Sequence, residues 1–338
     1  MRIALVGNDS LQQFPLESYG GIETCVENLA IGLNDLGRDF FVVAPKRSTK
    51  LDYQFNIYET EGYPTTISNK NSHSYAYDVG KVLDNLKFDI IWSQSNWSIE
   101  PLLRFNKPII CSFHDSCEKV YGWMKKYKNV KYRFISKFQY DLWVKEDWEK
   151  QDSFWCYTGL TKDNFICETR KDNYFLWCAG LNWGIEAKGL DYFINVAKNN
   201  KDYEFISYGS ANTDLEKYLY TLDKQIKNFH FKGALKKGDE HSNVFRKAKG
   251  FFMPTRLPEA FGRTIIESFS KGTPVFGSKN GALQELIEDG VNGFKLDLND
   301  TNINLNHNFD YNLIYDKSKR FSIENEIKIL EEESFKLV

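Results

Sequence analysis

The chain alternates between short, uninterrupted apolar segments and longer segments whose apolar residues recur at helical spacing. The apolar segments include residues 2–7 and 40–44 in the first half and residues 174–179 and 204–208 in the second. A strand covered by helices on both faces is apolar throughout, whereas a half-exposed strand alternates with polar residues. The pattern therefore predicts the α/β class, with doubly wound parallel sheets of the Rossmann-like kind.

The length of 338 residues predicts two domains, because a single hydrophobic core seldom serves so long a chain. A polar and charged segment, 158–173, precedes the apolar segment that opens the second series of strands. We therefore place the first domain at residues 1–160 and the second at residues 161–317. Near the end of the chain, Ser322 is a favourable helix cap, and the apolar spacing after it predicts a helix over Ile323–Phe335.

The composition excludes several classes of function. A net charge of −2 gives the chain as a whole no attraction for nucleic acid or for a membrane. The 6 cysteines include no pair at the spacing of zinc or redox motifs, which favours reduced thiols in the cytoplasm. The chain opens directly with an apolar strand and has no apolar run near about 18 residues, so we expect neither export nor a membrane span.

The segment 254–294 carries the strongest indication of a ligand site. Glu259 follows an apolar strand, and Gly262 and Arg263 begin a helix that carries Glu267 on its second turn. The first amides of that helix, with the positive end of its dipole and Arg263 nearby, suit an anion such as a diphosphate. Glu267 can accept two hydrogen bonds from a vicinal diol such as ribose, and Glu259 can meet hydroxyl groups beyond the phosphates.

Two loops of the first domain are further candidates because they follow strands of the predicted sheet. Gly20 and Gly21 lie in the first strand-to-helix loop, where glycines allow the backbone to lie against a phosphate, although a tight turn explains the pair equally well. His114 follows the apolar segment 108–113. Open parallel sheets bind their ligands at the carboxyl ends of the strands, which is where these residues are expected.

The segment 254–294 resembles the donor-binding motif of retaining nucleotide-sugar glycosyltransferases of family 4, which have the GT-B fold. The matching residues are Pro258, Glu259, Ala260, Phe261, Gly262, Glu267, Gly272, Thr273, Pro274, Val275, Gly281, Glu285 and residues 289–294. The resemblance implies two Rossmann-like domains that face a central cleft, with the donor on the second domain and the acceptor mainly on the first. It also implies that the C-terminal helix, within residues 318–338, crosses back to the first domain.

The resemblance also implies roles for individual residues. Lys188, followed by Gly189, looks like the family's lysine–glycine pair, in which the ammonium neutralises the departing diphosphate, and a compact charge on a flexible stem suits that task. The implied catalytic residues are Glu259, His114 and Lys188. The implied substrate-binding residues are Gly20, Gly21, Phe261, Gly262, Arg263, Thr264 and Glu267. The family's arginine after this strand is absent, because Gly180 follows Ala179; Arg263 or Arg256 then replaces it, or the phosphates are less well neutralised.

The implied reaction is transfer of a sugar from a UDP-, GDP- or ADP-sugar to a glycan or a lipid-linked acceptor, with retention of configuration. Glu259 and Glu267 lie on one side of the expected donor, so they do not form the carboxylate pair of a glycosidase. We expect the leaving diphosphate to accept the acceptor's proton, with no metal ion and no cofactor. Two alternatives stay open: a nucleotide-sugar epimerase of the same fold, and a degenerate transferase that binds its ligand without turnover.

A run of basic and aromatic residues occupies 117–145, with cations that include Lys131, Arg133 and Lys137. Such a run is typical of a solvated helical face. It is also typical of a surface that contacts anionic lipid, and the family resemblance strengthens this alternative because many relatives act on lipid-linked acceptors. We therefore expect a cytoplasmic protein, with contact at the membrane surface as the alternative to be tested.

Overall fold

A computed structural model describes most of the chain. The described residues are 1–7, 20–45, 53–60, 69–94, 99–114, 127–144, 153–182, 184–236 and 238–337. They divide into two compact units, one formed by 1–161 with 321–338 and the other by 162–320. The sequence predicts the ends of the first and second domains at residues 160 and 317, close to these divisions.

The first unit is a parallel sheet with helices between its strands. Its elements before the second unit are β1 (Ile3–Val6), α1 (Gly21–Asp35), β2 (Phe40–Pro45), β3 (Ile57–Thr60), α2 (Asn69–Leu83), β4 (Ile90–Ser93), β5 (Ile109–Phe113), β6 (Val130–Phe134), α3 (Lys137–Val144) and β7 (Ser153–Trp155). The described strands lie in the order β3-β2-β1-β4-β5-β6-β7, and every pairing is parallel. The order reverses at β1, which places this strand and β4 in the centre of the sheet.

The second unit repeats this architecture. Its elements are β8 (Tyr174–Cys178), α4 (Gly184–Ala187), α5 (Leu190–Asn199), β9 (Glu204–Tyr208), α6 (Thr213–Gln225), β10 (Phe229–Phe231), α7 (Asp239–Lys247), β11 (Gly250–Met253), α8 (Arg263–Phe269), β12 (Val275–Gly277), α9 (Leu283–Leu286), β13 (Gly293–Lys295) and α10 (Tyr311–Ser318). Its described strands lie in the order β10-β9-β8-β11-β12-β13, again all parallel. The predicted α/β class with two Rossmann-like, doubly wound sheets is therefore confirmed.

The cores explain why the central strands are uninterrupted apolar segments. In β1, Ala4 and Val6 pack into one hydrophobic cluster of the first unit, and Ile3 and Leu5 pack into a second cluster. Successive side chains of a strand point to opposite faces, so both faces of this sheet are covered. Each fully buried Val, Leu or Ile side chain contributes roughly 1.5–3 kcal/mol to folding.

The last helix of the chain, α11 (Ile323–Phe335), belongs to the first unit, as the predicted crossing back requires. Its Ser322 cap accepts a hydrogen bond from the amide of Asn325, so the predicted start is confirmed. Ile327 packs in the same cluster as residues of α1. The two helices approach closely because α1 carries Gly32, where a Cβ atom would lie 2.6 Å from Cγ1 of Ile323.

A buried ion pair also attaches α11 to the sheet. The guanidinium of Arg133 in β6 lies 2.7 Å from the carboxylate of Glu326, with side chains 0% and 2% exposed. Arg133 also donates to the carbonyl oxygens of Cys156 and Tyr157, and the other oxygen of Glu326 accepts from the amide of Gly159. A buried charge is tolerated only when it is paired and hydrogen-bonded in this way.

The basic run at 117–145 needs correction where the structure describes it. Lys131 and Arg133 point into the first unit, where they pair with Glu333 and Glu326 of α11. For these two residues both sequence-based interpretations, a solvated face and a lipid-facing surface, are wrong, because their side chains are buried in ion pairs. The local sequence could not predict this, since pairing with a C-terminal helix leaves no pattern in it. Residues 117–126 and 145 lie outside the described residues. No helix among the described residues is long and apolar enough to span a membrane.

Candidate functional site

Lys188 and Glu259 of the second unit come together, although they are far apart in sequence. Lys188 lies between α4 and α5, in the connection that follows β8, and Glu259 lies between β11 and α8. The ammonium of Lys188 is in direct contact with the carboxylate of Glu259. The two strands are parallel neighbours, so the loops after them emerge at the same edge of the sheet.

Backbone geometry holds the lysine loop in place. Gly189 follows Lys188 with a φ of +73°, and a Cβ atom at this position would lie 2.0 Å from the carbonyl oxygen of Pro254. Only glycine permits both the left-handed conformation and this close approach. The glycine of the predicted lysine–glycine pair therefore seats the loop against the segment after β11.

Glu267 lies in α8 as predicted, and its carboxylate is buried. The residue is 4% exposed, and one oxygen, Oε1, accepts a 2.9 Å hydrogen bond from Nε of Arg263. The other oxygen, Oε2, accepts no hydrogen bond from any residue that the structure describes. It lies 3.6 Å from Nε2 of His241, which is beyond hydrogen-bonding distance.

The surroundings of Glu267 show where its charge acts. Cys178 at the end of β8 is half-buried, and the burial of its thiol and the nearby charge of Glu267 raise the pKa of that thiol to about 12. Burial lowers the pKa of Lys271 to about 8, although the charge of Glu267 opposes that shift. Glu267 therefore lies close enough to the end of β8 to influence groups there, on the same edge of the sheet as Lys188 and Glu259.

The start of α8 gives mixed support to the other predicted residues. Gly262 is the N-cap, and the amide of Ile265 already bonds to its carbonyl oxygen at 2.9 Å, so the amides before that bond belong to Arg263 and Thr264. The hydroxyl of Thr264 donates to the sulfur of Met253 at 3.7 Å. Phe261 is only 3% exposed, so its side chain belongs to the interior.

Both candidate replacements for the absent arginine already bind carboxylates. Arg263 pairs with Glu267. The guanidinium of Arg256 binds both oxygens of Asp191, at 2.8 Å each, and the hydrogen bond to that carboxylate raises the pKa of Arg256. Lys188, the other predicted phosphate-binding cation, contacts the carboxylate of Glu259.

The predicted residues of the first unit lie at the carboxyl edge of their own sheet. Gly20 is the N-cap of α1 and Gly21 its first residue, so the pair forms the start of a helix after β1. His114 directly follows β5, and its Nε2 lies 2.9 Å from Oε1 of Gln94, which directly follows β4. With the amide oxygen accepting, the ring carries its proton on Nε2.

Three residues of these sites were missed by the sequence analysis. His241, which lies on α7 with its ring 4.8 Å from that of Phe245, has no distinguishing pattern around it, and neither has Gln94. Asp191 occupies the first turn of α5, where an acidic residue is common because it favours the helix dipole. Only packing between distant segments shows what these three side chains contact.

Two family models match the chain. The model described as Glycosyltransferase Family 4 matches residues 19–151, and the model described as Glycosyl transferases group 1 matches residues 172–304. Together they cover well over half of the chain. An uncharacterized glycosyltransferase from Methanocaldococcus jannaschii is 25% identical over 320 residues, which covers 84% of this chain and 82% of that protein.

Other similarities are either shorter or structural. Sucrose synthase from Acidithiobacillus caldus is 42% identical over 84 residues, which is 24% of this chain but only 10% of that protein. Sucrose-phosphate synthase from Thermosynechococcus elongatus has a TM-score of 0.75 at 14% identity, with 100% of both chains covered. Anabaena HepE in complex with UDP-glucose has a TM-score of 0.68 at 15% identity, with 98% of both chains covered. At these identities the structural likeness concerns the fold.

Proposed function

The chain belongs to glycosyltransferase family 4 and is an enzyme of the GT-B fold, and on that premise we propose that it transfers a sugar from a nucleoside-diphosphate sugar with retention of configuration. The observation that carries the proposal is the buried carboxylate of Glu267. One of its oxygens is held by Arg263, and the other accepts no hydrogen bond within the described part of the chain. A buried acceptor of this kind is costly unless a water molecule or a ligand hydroxyl donates a hydrogen bond to it.

The donor's parts fit the carboxyl edge of the second sheet. Ribose hydroxyls would donate to Glu267, and the diphosphate would meet the ammonium of Lys188 and the amides of Arg263 and Thr264. Hydroxyls of the transferred sugar would then face Glu259. In support, the solved structure of Anabaena HepE, which shares this fold, contains UDP-glucose.

The proposed reaction breaks the bond between the anomeric carbon and the diphosphate and forms one to the acceptor oxygen on the same face. The acceptor's proton passes to the leaving diphosphate, whose negative charge Lys188 stabilises as it develops. Glu267 is committed to Arg263 and the ribose, so the second carboxylate that a glycosidase-type double displacement requires is missing from this arrangement. The step requires neither an enzyme nucleophile nor a metal ion.

The acceptor side of the proposal rests on the first unit. His114, held by Gln94 at the carboxyl edge of its sheet, would reach the transferred sugar, and Gly20 and Gly21 would line the acceptor or phosphate. We propose a glycan or a lipid-linked saccharide as the acceptor. Contact of the chain with an anionic membrane surface stays a prediction, tested by sedimentation with anionic vesicles at low and high salt.

The proposal is tested by calorimetric titration with UDP, GDP and ADP and with their glucose conjugates. One of the three bases should bind, and Glu267→Gln should weaken that nucleoside diphosphate at least tenfold, because the amide both loses the charge and disturbs the bond to Arg263. Glu324→Gln is the matched control, since Glu324 is exposed on α11 in the other unit. Inorganic pyrophosphate should bind the wild type and Glu267→Gln equally.

Product analysis decides the chemistry. Release of the nucleoside diphosphate together with a glycoside of unchanged anomeric configuration agrees with the proposal. An inverted product contradicts the retaining mechanism. A donor recovered with an epimerised sugar and no free nucleoside diphosphate contradicts transfer itself. Failure of all three nucleoside diphosphates and their conjugates to bind contradicts the donor assignment.

A further inference from the structure

Two segments of the second unit are joined around the loop that carries Lys188. The amide of Arg256 donates to the carbonyl oxygen of Ala187 at 2.9 Å, and the hydroxyl of Thr255 reaches the same oxygen at 3.2 Å. The close approach of Gly189 to Pro254 adds a steric contact on the other side of the lysine. The backbone on both sides of Lys188 is therefore attached to the segment after β11.

The side chain of Arg256 extends this attachment further. Its Nη1 donates to the carbonyl oxygen of Glu186 at 2.6 Å and to Oδ1 of Asp191 at 2.8 Å, and its Nη2 donates to Oδ2 of Asp191 at 2.8 Å. Glu186 precedes Lys188 and Asp191 follows it. A single planar guanidinium thus binds both ends of the lysine loop, with the two-pronged geometry that a carboxylate prefers.

A lysine side chain needs such support to act at a defined point. Its stem has four rotatable carbons and its ammonium is a point charge, so the position of the charge depends on the position of the backbone. Ordering a lysine side chain also costs rotamer entropy. A loop held at both ends confines the ammonium to the neighbourhood of Glu259, where the contact is observed.

We propose that Arg256 is a positioning residue that acts through Lys188. The inference rests on the proposed function, in which Lys188 binds the diphosphate of the donor. Arg256 does not take the place of the arginine that is absent at Gly180, because its guanidinium is bound to Asp191 and to the carbonyl of Glu186. Instead it holds the loop of Lys188, whose ammonium binds the diphosphate in the proposed function.

The contacts of Arg256 with Glu186 and Asp191, which we call the clamp, are first tested without any ligand, by hydrogen exchange of the intact chain. Arg256→Met should raise the exchange rate of the Gly189 amide, which donates to Glu186 in the clamped loop, at least tenfold. Amides of β8 and β11 should be unchanged, which shows that the unit stays folded. Arg170→Met is the control, since Arg170 is an exposed arginine of the same unit. Unchanged exchange at Gly189 would overturn the clamp whatever the ligand does.

The coupling to Lys188 is tested by a double-mutant cycle on binding of the nucleoside diphosphate, with the corresponding nucleoside as the phosphate-free probe. Arg256→Met should weaken the diphosphate about fivefold to tenfold and leave the nucleoside unchanged. In the Lys188→Met background the same substitution should change diphosphate affinity less than twofold, because there is no ammonium left to position. Arg256→Lys should bind the diphosphate more tightly than Arg256→Met, because it keeps a positive charge beside Asp191. It should not reach the wild-type affinity, because one ammonium cannot bind both oxygens of Asp191 as a guanidinium does.

The outcomes separate the two hypotheses. If the losses from Arg256→Met and Lys188→Met add in full, Arg256 acts independently of Lys188 and the positioning role is wrong. If wild-type chain binds none of UDP, GDP or ADP while the Gly189 amide responds to Arg256→Met, the proposed donor site is wrong but the clamp exists. If neither response is seen, both hypotheses are wrong.

Discussion

Replacing Glu259 by Gln is expected to tighten binding of the nucleoside diphosphate while it slows sugar transfer. The ammonium of Lys188 contacts the carboxylate of Glu259, and the two side chains are 23% and 16% exposed. A diphosphate that binds this ammonium must compete with the carboxylate. Gln has nearly the same shape and no charge, so the substitution removes the competitor without opening a cavity.

The two effects have different magnitudes and opposite signs. A partly exposed ion pair contributes about 0.5–1 kcal/mol, and its removal should tighten diphosphate binding about twofold to fivefold. Turnover depends on the contact that Glu259 is proposed to make with hydroxyls of the transferred sugar. Loss of one such preorganised polar contact in a transition state typically costs about 2.7–4 kcal/mol, which is a hundredfold to thousandfold decrease in kcat.

Calorimetry with the nucleoside diphosphate and a turnover assay with the matching nucleotide sugar measure both quantities. Glu324→Gln should change neither. In the Lys188→Met background, Glu259→Gln should no longer tighten the diphosphate, because the competition is gone. A diphosphate affinity that falls together with turnover would refute the competition for Lys188, and unchanged turnover would remove Glu259 from the mechanism.

Three further predictions follow from other parts of the molecule. Lys188→Met should weaken the nucleoside diphosphate at least tenfold in calorimetry and leave the nucleoside unaffected, because about 1.4 kcal/mol or more of charge interaction is lost. Ile327→Ala should lower the free energy of unfolding by about 2–5 kcal/mol in urea titration, since Ile327 is fully buried between α11 and α1. Burial lowers the pKa of Lys171 to about 7; between pH 7 and 9 the unfolded chain therefore binds a proton that the folded chain does not, and the free energy of unfolding should rise by about 1 kcal/mol per pH unit. Lys171→Met should reduce that slope.

The order of strands and helices was predictable because it depends on local patterns. Apolar segments such as residues 2–7 and 174–179 contain strands of parallel sheets, and Ser322 caps the last helix as expected. Boundaries were less predictable where polar residues open a helix. The sequence pattern predicts a helix only over residues 78–86, whereas α2 is Asn69–Leu83, because the first turns of α2 carry no apolar period. The Asn-rich composition of residues 300–314 predicts an irregular segment, yet α10 begins within it at Tyr311.

The candidate site was predictable in position but not in its contacts. Parallel strands bring their carboxyl ends to one edge, so Lys188, Glu259 and Glu267 could be assigned to that edge from the order of elements alone. The sequence could not predict which charged side chains pair with one another. Arg263 lies one helical turn from Glu267, and such pairs can be anticipated from spacing, but the contact of Lys188 with Glu259 joins loops far apart in the chain.

The sequence by itself determined the α/β class, the division into two Rossmann-like units and the loops where ligands are expected, because hydrophobic periodicity and glycine placement act over a few residues. Only the tertiary structure decided that Arg256 binds Asp191, that Lys131 and Arg133 pair with the last helix, and that His241 approaches Glu267. Those contacts depend on how elements pack against one another, and distances of a few tenths of an ångström decide whether a charge meets a partner or a ligand. Such distances are set by the whole core and have no local pattern.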